Sequence, residues 1–455
     1  MSHSASNSSA PASDVFAPGH LGELTQIVPP EMIDAALATA GGEEQRLRRL
    51  PSRVVVYVLL AGALFAGQGW RHVFSRLTAG LPGPVVRPSG AAITEAMRRV
   101  GPKSLRELFT FFVGSAVTCA HQRVRFAGRL VVAIDGTQIP VADTEANRVM
   151  FPKPRGGPNG QAGYPMIRLV AIVTAGTRDV IEAVFGTDKI GELTYAERVA
   201  TALRPGMLLL GDRNFATYKF FTTVAGTGAE FLIRAKKGNG AMNLPILTRL
   251  RDGSFLSVAA GVRVRVIDAA VTITTEASTR TGEYRLITTL LNPAEAPAKQ
   301  LMGLYHERWE IETAYCELKS TILGGRVLRS RYPTGVEQEV WALLTVYQVL
   351  RTAMADALLD TPDIDPDRAS FTTALRTARD QVIQAAGIIA ATTVDLVGCI
   401  GAALRADLMP DRRTRTRPRV IKRAISKYRA KGRAIDRRTY PATLTTRILT
   451  PDPDD

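Results

Sequence analysis

Cysteine is scarce. The chain has three, Cys119, Cys316 and Cys399, far apart and without C-x-x-C spacing. This argues against a disulfide framework and a thiolate zinc site. Long apolar runs are also missing. Val54–Ala66 stops at Gly67, well short of the roughly 20 residues that a spanning helix needs. Met1–Asp14 is rich in Ser and Ala but has no basic start and no apolar core, so no signal peptide is expected. Acids form the third deficit. Asp plus Glu number 42 against 58 Lys plus Arg, which leaves a net charge of +16 over 455 residues. On a folded protein that excess favours a polyanionic partner. Membrane is the weaker candidate and nucleic acid the expected one, in a cytoplasmic, nucleoid-associated protein.

Hydrophobic residues make up 45% of the chain, ample for buried cores. Length alone suggests about two to four domains. Residues 1–20 are small and polar and are expected to be disordered. Residues 21–122 read as a helical N-terminal domain. Pro30–Gly41 places Met32, Ile33, Ala36 and Leu37 on one helical face. Ser89 caps a helix that stops at Gly101, and Ser104-Leu-Arg-Glu107 looks like a capping box for the next.

The texture changes after Val124. Apolar segments 130–134, 168–174, 180–187, 207–210 and 230–234 read as strands, and 192–203 and 216–224 as helices. This mixture predicts an α/β layered domain over residues 123–355. Residues 236–294 interrupt it. Alternation in Val262–Ile267, Val271–Thr275 and Tyr284–Leu290 marks them as antiparallel β with one wet face. Helices return at Lys299–Ser320, and residues 356–410 form a C-terminal helical region. A basic tail, 411–455, follows. Its stretch Arg412–Arg438 holds about thirteen basic residues and one acid, suited to phosphate contacts that position DNA without reading it.

Two acids stand at strand ends. Asp135 follows Val-Val-Ala-Ile and Asp212 follows Leu-Leu-Leu-Gly. The carboxyl ends of strands are where open α/β sheets gather their sites. Either acid taken singly is more often a turn former or a helix cap. The segment 305–319 is sharper. At about 100° per residue, Tyr305, Arg308, Glu312 and Lys319 share one stripe, while Glu307, Glu310 and Glu317 point away from it. Leu304, Ile311, Tyr315, Leu318 and Ile322 flank the stripe on one side, and Trp309 and Cys316 on the other. A polar stripe between apolar flanks fits a helix docked on a core with four side chains in a cleft. An ordinary i, i+4 ion pair of Arg308 with Glu312 is the plainer alternative. Three carboxylates suit two hard cations about 3.5–4 Å apart in phosphodiester chemistry. Arg308 and Lys319 suit the phosphates, and Tyr305 can add a hydroxyl donor.

Asp135-Gly-Thr137, Asp212-Arg-Asn-Phe215 and the Tyr305, Arg308, Glu312, Lys319 spacing resemble the signature of DDE transposases of the insertion-sequence-four type. Every fixed position of the third motif is matched. Arg49-Leu-Pro-Ser52, Tyr164-Pro-Met-Ile-Arg168, the segment Arg329 to Glu339 and the segment Arg417 to Arg423 extend the likeness. The resemblance implies an RNase H-like catalytic core with an inserted antiparallel β region, between N-terminal and C-terminal helical regions. It implies Asp135, Asp212 and Glu312 as ligands of two Mg²⁺ ions, with Mn²⁺ able to substitute. It implies double-stranded DNA partners, namely terminal inverted repeats and target DNA, and a homodimer in the synaptic complex. Cut-and-paste transposition through a hairpin end follows, with Tyr305, Arg308 and Lys319 on the end phosphates. Trp309 is a candidate for stacking on an unpaired base, although packing is the stronger expectation for it. Thr94, Arg98 and Arg99 are candidates for end recognition, although a plain amphipathic helix explains them equally. A nuclease of the same fold that does not join ends, and an inactive transposase-derived DNA-binding protein, are the alternative functions.

Overall fold

The computed structural model describes residues 19–450 except 43, 45–47, 82–84, 86, 117–123, 155–162, 360, 362, 386–397, 411–414 and 417–439. The N-terminal polar segment and nearly all of the basic run, Arg417–Arg423 included, therefore lie outside the described residues.

Strand periodicity organises the molecule. β1 (Arg125–Phe126) hairpins onto β2 (Arg129–Pro140), which pairs antiparallel with β3 (Met166–Thr174), and β3 in turn with β4 (Val180–Thr187). β5 (Met207–Gly211) pairs parallel with β2, and β6 (Glu230–Ala235) parallel with β5. Successive side chains point to opposite faces, so each strand supplies two cores. Val131, Ala133, Leu169, Ala171, Leu208, Leu210 and Leu232 join one, and Leu130, Val132, Ile134, Val170, Ile172, Leu209 and Phe231 the other. Burial on both faces is why these strands read as continuous apolar runs.

The second face is covered by α6 (Glu192–Ala200) and α7 (Tyr218–Gly226) through Tyr195, Val199, Phe220 and Phe221. The first carries the motif helix, α9 (Trp309–Cys316), which follows α8 (Ala298–Leu304) and leads to α10 (Pro333–Leu358). A short α5 (Glu145–Met150) precedes β3 and is capped by Thr144. Three antiparallel strands followed by two parallel ones, with helices on both faces, make the expected α/β, RNase H-like core. Among the described residues no helix is long and apolar enough to cross a membrane.

The inserted β region is β7 (Thr248–Arg249), β8 (Phe255–Ala259), β9 (Val262–Thr274) and β10 (Thr279–Thr288). It does not stand apart. β10 pairs with β6, so the insertion prolongs the core into an 11-stranded sheet. Its wet face is also less wet than alternation suggested. Arg265 is fully buried and held by Asp252, Ser254 Oγ and the Ala296 carbonyl. Alternation cannot distinguish a solvated cation from one covered by a loop.

The helical regions are α1 (Pro30–Thr39), α2 (Ser52–Leu64), α3 (Trp70–Leu77) and α4 (Gly90–Ala116) before the core, with α11 (Phe371–Gln384) and α12 (Gly398–Ala406) after it. They do not form separate cores. Ile33, Leu60, Phe109, Leu344, Leu375 and Leu404 belong to one cluster with the first face of the sheet. α10 also runs through the expected boundary at 355. Ser89 caps α4 through the Ala92 N–H. The helix breaks at Gly101, whose φ of 67° suits glycine. Ser104 is no cap. Its hydroxyl donates to Val100 O inside the helix, because the break at Gly101–Pro102 comes three residues earlier.

The end of the chain is not wholly a tail. β11 (Arg415–Thr416) pairs with β12 (Tyr440–Pro441), and β13 (Thr443–Leu449) adds to β9 along Asp268–Thr274.

Candidate active site

Asp135 and Asp212 stand level on neighbouring parallel strands. The last paired residues are Ala133 and Leu210, and each acid lies two residues beyond one of them, so both share the face on which α9 packs. Contrary to the expectation from its apolar lead-in, Asp135 does not end its strand. β2 continues to Pro140, and Asp135 pairs with Ala171. The strand persists because Ile139 returns to the core. Asp212 does follow its strand. Its Oδ1 accepts the Asn214 N–H at 2.8 Å and so caps the Arg213–Phe215 turn. The plain capping role and a functional one coexist in this side chain.

The third motif is less regular than one helix. Tyr305–Arg308 is a 3-10 turn, α9 is α-helical, and Glu317–Ile322 is a π turn. Of the four expected side chains, two pair with each other and one reaches a strand. Arg308 donates to Glu312 Oε1 at 3.0 Å. Lys319 Nζ donates to Thr137 Oγ1 at 2.6 Å, which ties the third motif to Asp135-Gly-Thr137. Tyr305 is buried and lies in the field of Arg308, Arg234 and Asp212. Burial above all pushes its hydroxyl up to about 12.

Electrostatics joins the three acids. Burial pushes the Asp135 carboxyl up to about 7; the Gly136 N–H and Arg308 oppose the rise, and Asp212 and Glu312 add to it. Asp135 therefore senses both other acids. Glu312 is the open member, with 39% of its side chain exposed.

Two residues that sequence reasoning missed hold this arrangement. The Tyr315 hydroxyl donates to Asp135 O at 2.6 Å and accepts the Ala171 N–H at 3.1 Å. It stands between two register partners of the β2–β3 ladder, beside the first acid. Its apolar position in the helix had marked it as core. Glu192, the first residue of α6, is the other. Asn214 Nδ2 donates to its Oε2 at 2.6 Å, and its carboxylate lies against Gly136. Among the signals in the sequence, only an acid in a first helical turn marked it, which is an ordinary feature.

The far side of the motif helix departs from expectation. Glu310 and Glu317 do point away from the stripe, but into the protein. Glu310 is fully buried and receives Arg178 Nε at 2.5 Å. Glu317 accepts from Arg178 at 3.2 Å, from the Tyr347 hydroxyl at 3.1 Å and from Arg351. Asp367 takes the third nitrogen of Arg178. Oxygens of Glu307, Glu310 and Asp367 lie within 4.8 Å of one another. Among the described residues it is this trio, and not Asp135, Asp212 and Glu312, whose oxygens come that close together. Because two of its members already share Arg178, we read it as part of a salt-bridge network rather than a cation site.

The remaining candidates diverge. Trp309 is 49% exposed, beside an open cleft that Tyr284, Arg234 and Tyr305 also line. Among the described residues it is one of the exposed large hydrophobic side chains, which differs from the expected packing role. Arg98 lies 4.7 Å from the Tyr332 ring centroid. Arg99 donates to Leu50 O at 2.8 Å and pairs with Glu44 at 3.2 Å. Thr94 donates to Gly90 O. These three have intramolecular contacts on an amphipathic helix that buries Ile93, Ala96 and Met97.

Comparison with known proteins gives several matches. Residues 18–110 match the insertion element 4 transposase N-terminal family, and residues 126–349 the transposase DDE domain family. The chain is 28% identical over 419 residues to the transposase InsG of insertion sequence element IS4 from Escherichia coli (strain K12), covering 90% of this chain and 93% of that one. It is 24% identical over 205 residues to the putative transposase InsZ from the same organism, covering 45% of this chain and 67% of that one. A piggyBac transposase synaptic complex with hairpin DNA aligns at a TM-score of 0.43 and 10% identity, covering 89% and 87% of the two chains.

Proposed function

The chain belongs to the insertion element 4 family of DDE transposases, and from that premise we propose that Asp135, Asp212 and Glu312 jointly hold two Mg²⁺ ions, for which Mn²⁺ can substitute. The enzyme is a transposase. The donors fit the group, since all are hard carboxylate oxygens. Bound there, the cations would activate the attacking oxygen and stabilise the leaving oxygen of a phosphodiester. The observation that carries the reading is geometric: Asp135 and Asp212 each lie two residues beyond the last β2–β5 pair, on the sheet face against which the Glu312 helix packs. Burial, to which Asp212 and Glu312 add, pushes the Asp135 carboxyl up to about 7, and a divalent cation bound there would favour its ionised form.

The protein's own residues handle the DNA in this reading. Arg308, now bonded to Glu312, and Lys319, now bonded to Thr137, would exchange those partners for phosphate oxygens. Charge-assisted bonds of this kind are about twice as strong as neutral ones. Tyr305 would donate its hydroxyl, which stays protonated because burial raises it. Trp309, exposed at the cleft rim, is placed to stack on an unpaired base. The substrates are the element's terminal inverted repeats and target DNA. The assembly would be a homodimer holding two ends, and the pathway cut-and-paste through a hairpin end. The net charge of +16 supports a nucleoid-associated enzyme. Thr94, Arg98 and Arg99 remain candidates for end recognition only if they release the contacts described above.

The test is cleavage of a linear DNA carrying the element's own end, with Mg²⁺ or with EDTA. Metal-dependent cutting at the end with a hairpin product is the expected result. Tight binding without cutting under any divalent metal would overturn the proposal.

A further inference from the structure

We propose that Glu192 is a positioning residue that fixes Asp135 and Asp212 relative to each other, an inference that rests on the cation site proposed above. Two contacts converge on its carboxylate, and each continues to one of the acids. Asn214 Nδ2 donates to Oε2 at 2.6 Å, while the backbone N–H of the same Asn214 donates to Asp212 Oδ1 at 2.8 Å. One residue thus links Glu192 to the second acid. The other oxygen, Oε1, lies where a Cβ on residue 136 would stand. Glycine at 136 admits it, and the Gly136 N–H donates to Asp135 Oδ1 at 2.8 Å. The second residue links Glu192 to the first acid. Arg168 and Asp212 are the charged groups whose fields reach Glu192.

The two segments are otherwise loosely joined at this level. The β2–β5 ladder ends at Ala133 and Leu210, so no backbone pairing sets the spacing of Asp135 and Asp212. Glu192 spans that gap from below, on the face that carries α6. Its contacts need an acceptor of the right length rather than a charge. Partners of this kind, one step removed from a metal, orient its ligands.

The test is Mn²⁺ titration of the full chain, followed by electron paramagnetic resonance, with thermal melting in EDTA alongside. Glu192→Ala should weaken Mn²⁺ binding by about tenfold, the lower end for such partners, with little change in EDTA melting. Glu192→Gln keeps the acceptor for Asn214 and should bind within about threefold of wild type. Gly136→Ala displaces the carboxylate from the strand side and should weaken binding as Glu192→Ala does, which keeps the test alive if that variant folds poorly. Wild-type affinity in both Glu192→Ala and Gly136→Ala would overturn the proposal. So would a Glu192→Gln variant as weak as Glu192→Ala, since charge rather than position would then be at work. Failure of the underlying site has its own signature: wild type would show no Mn²⁺ binding that Asp135→Asn removes, and the role of Glu192 would fall with it.

Discussion

The two faces of the motif helix carry the same residue types to opposite ends. On the front, Arg308 donates to Glu312 and Lys319 to Thr137, and Glu312 remains partly exposed. On the back, Glu310 and Glu317 are buried against Arg178 and Arg351, with Tyr347 and Asp367 completing the network. A buried charge is tolerated only when it is paired and hydrogen-bonded. The back face meets that condition and anchors the helix to α10 and to the turn at Asp365–Arg368. The front face keeps capacity for a ligand. An acid's part therefore follows from which side of the helix it occupies.

Substitutions at matched acids break this comparison most sharply. Glu312→Gln should reduce end cleavage to background while the melting temperature in EDTA stays close to wild type. Glu317→Gln should do the reverse. Removing one member of a buried ion network costs about 3–5 kcal/mol, so a clear drop in melting temperature is expected, with cleavage retained at temperatures where the protein stays folded. Tyr315→Phe tests the tie between the helix and Asp135. It leaves the Asp135 carbonyl and the Ala171 N–H without the intervening hydroxyl, at a cost of about 1–3 kcal/mol, and cleavage should fall as well because the first acid loses its support.

A pH series sharpens the account of the front face. The folded Asp135 carboxyl sits at about 7, above its ordinary value of 3.8. Its contribution to stability is therefore complete below the ordinary value and is lost as pH rises through about 7. A bound cation offsets that loss. The rise in melting temperature on adding Mg²⁺ should grow between pH 5 and pH 8, and Asp135→Asn should flatten that growth. The smallest effect is expected at Arg98→Ala. Its guanidinium lies over Tyr332 from an exposed position, a contact worth about 0.5–1 kcal/mol. A large loss of DNA-end binding in that variant would restore α4 as a reading helix.

Much of this was legible in the sequence, because period and charge carry it. The β strands appear as apolar runs since both sheet faces are buried. The spacing of Tyr305, Arg308, Glu312 and Lys319 survived a 3-10 turn and a π turn, and Lys319 still reaches Thr137. What remained hidden depends on contacts between distant segments. Tyr315 looks like core because its ring is core; only its hydroxyl enters the ladder. Glu192 looks like any acid in a first helical turn until Gly136 and Asn214 come beside it. Glu317 looks like a solvated acid until Arg178 and Arg351, 139 and 34 residues away, close on it. The strand β13 follows a long basic run, and only its pairing with β9 separates it from a tail.

The most direct test of the central claim is to measure Mg²⁺-dependent end cleavage and EDTA melting for Glu312→Gln and Glu317→Gln in parallel. The account predicts a stable, inactive Glu312→Gln and a destabilised Glu317→Gln that still cuts when folded. A Glu312→Gln protein that cuts at the wild-type rate, or a Glu317→Gln protein of unchanged stability, would contradict it.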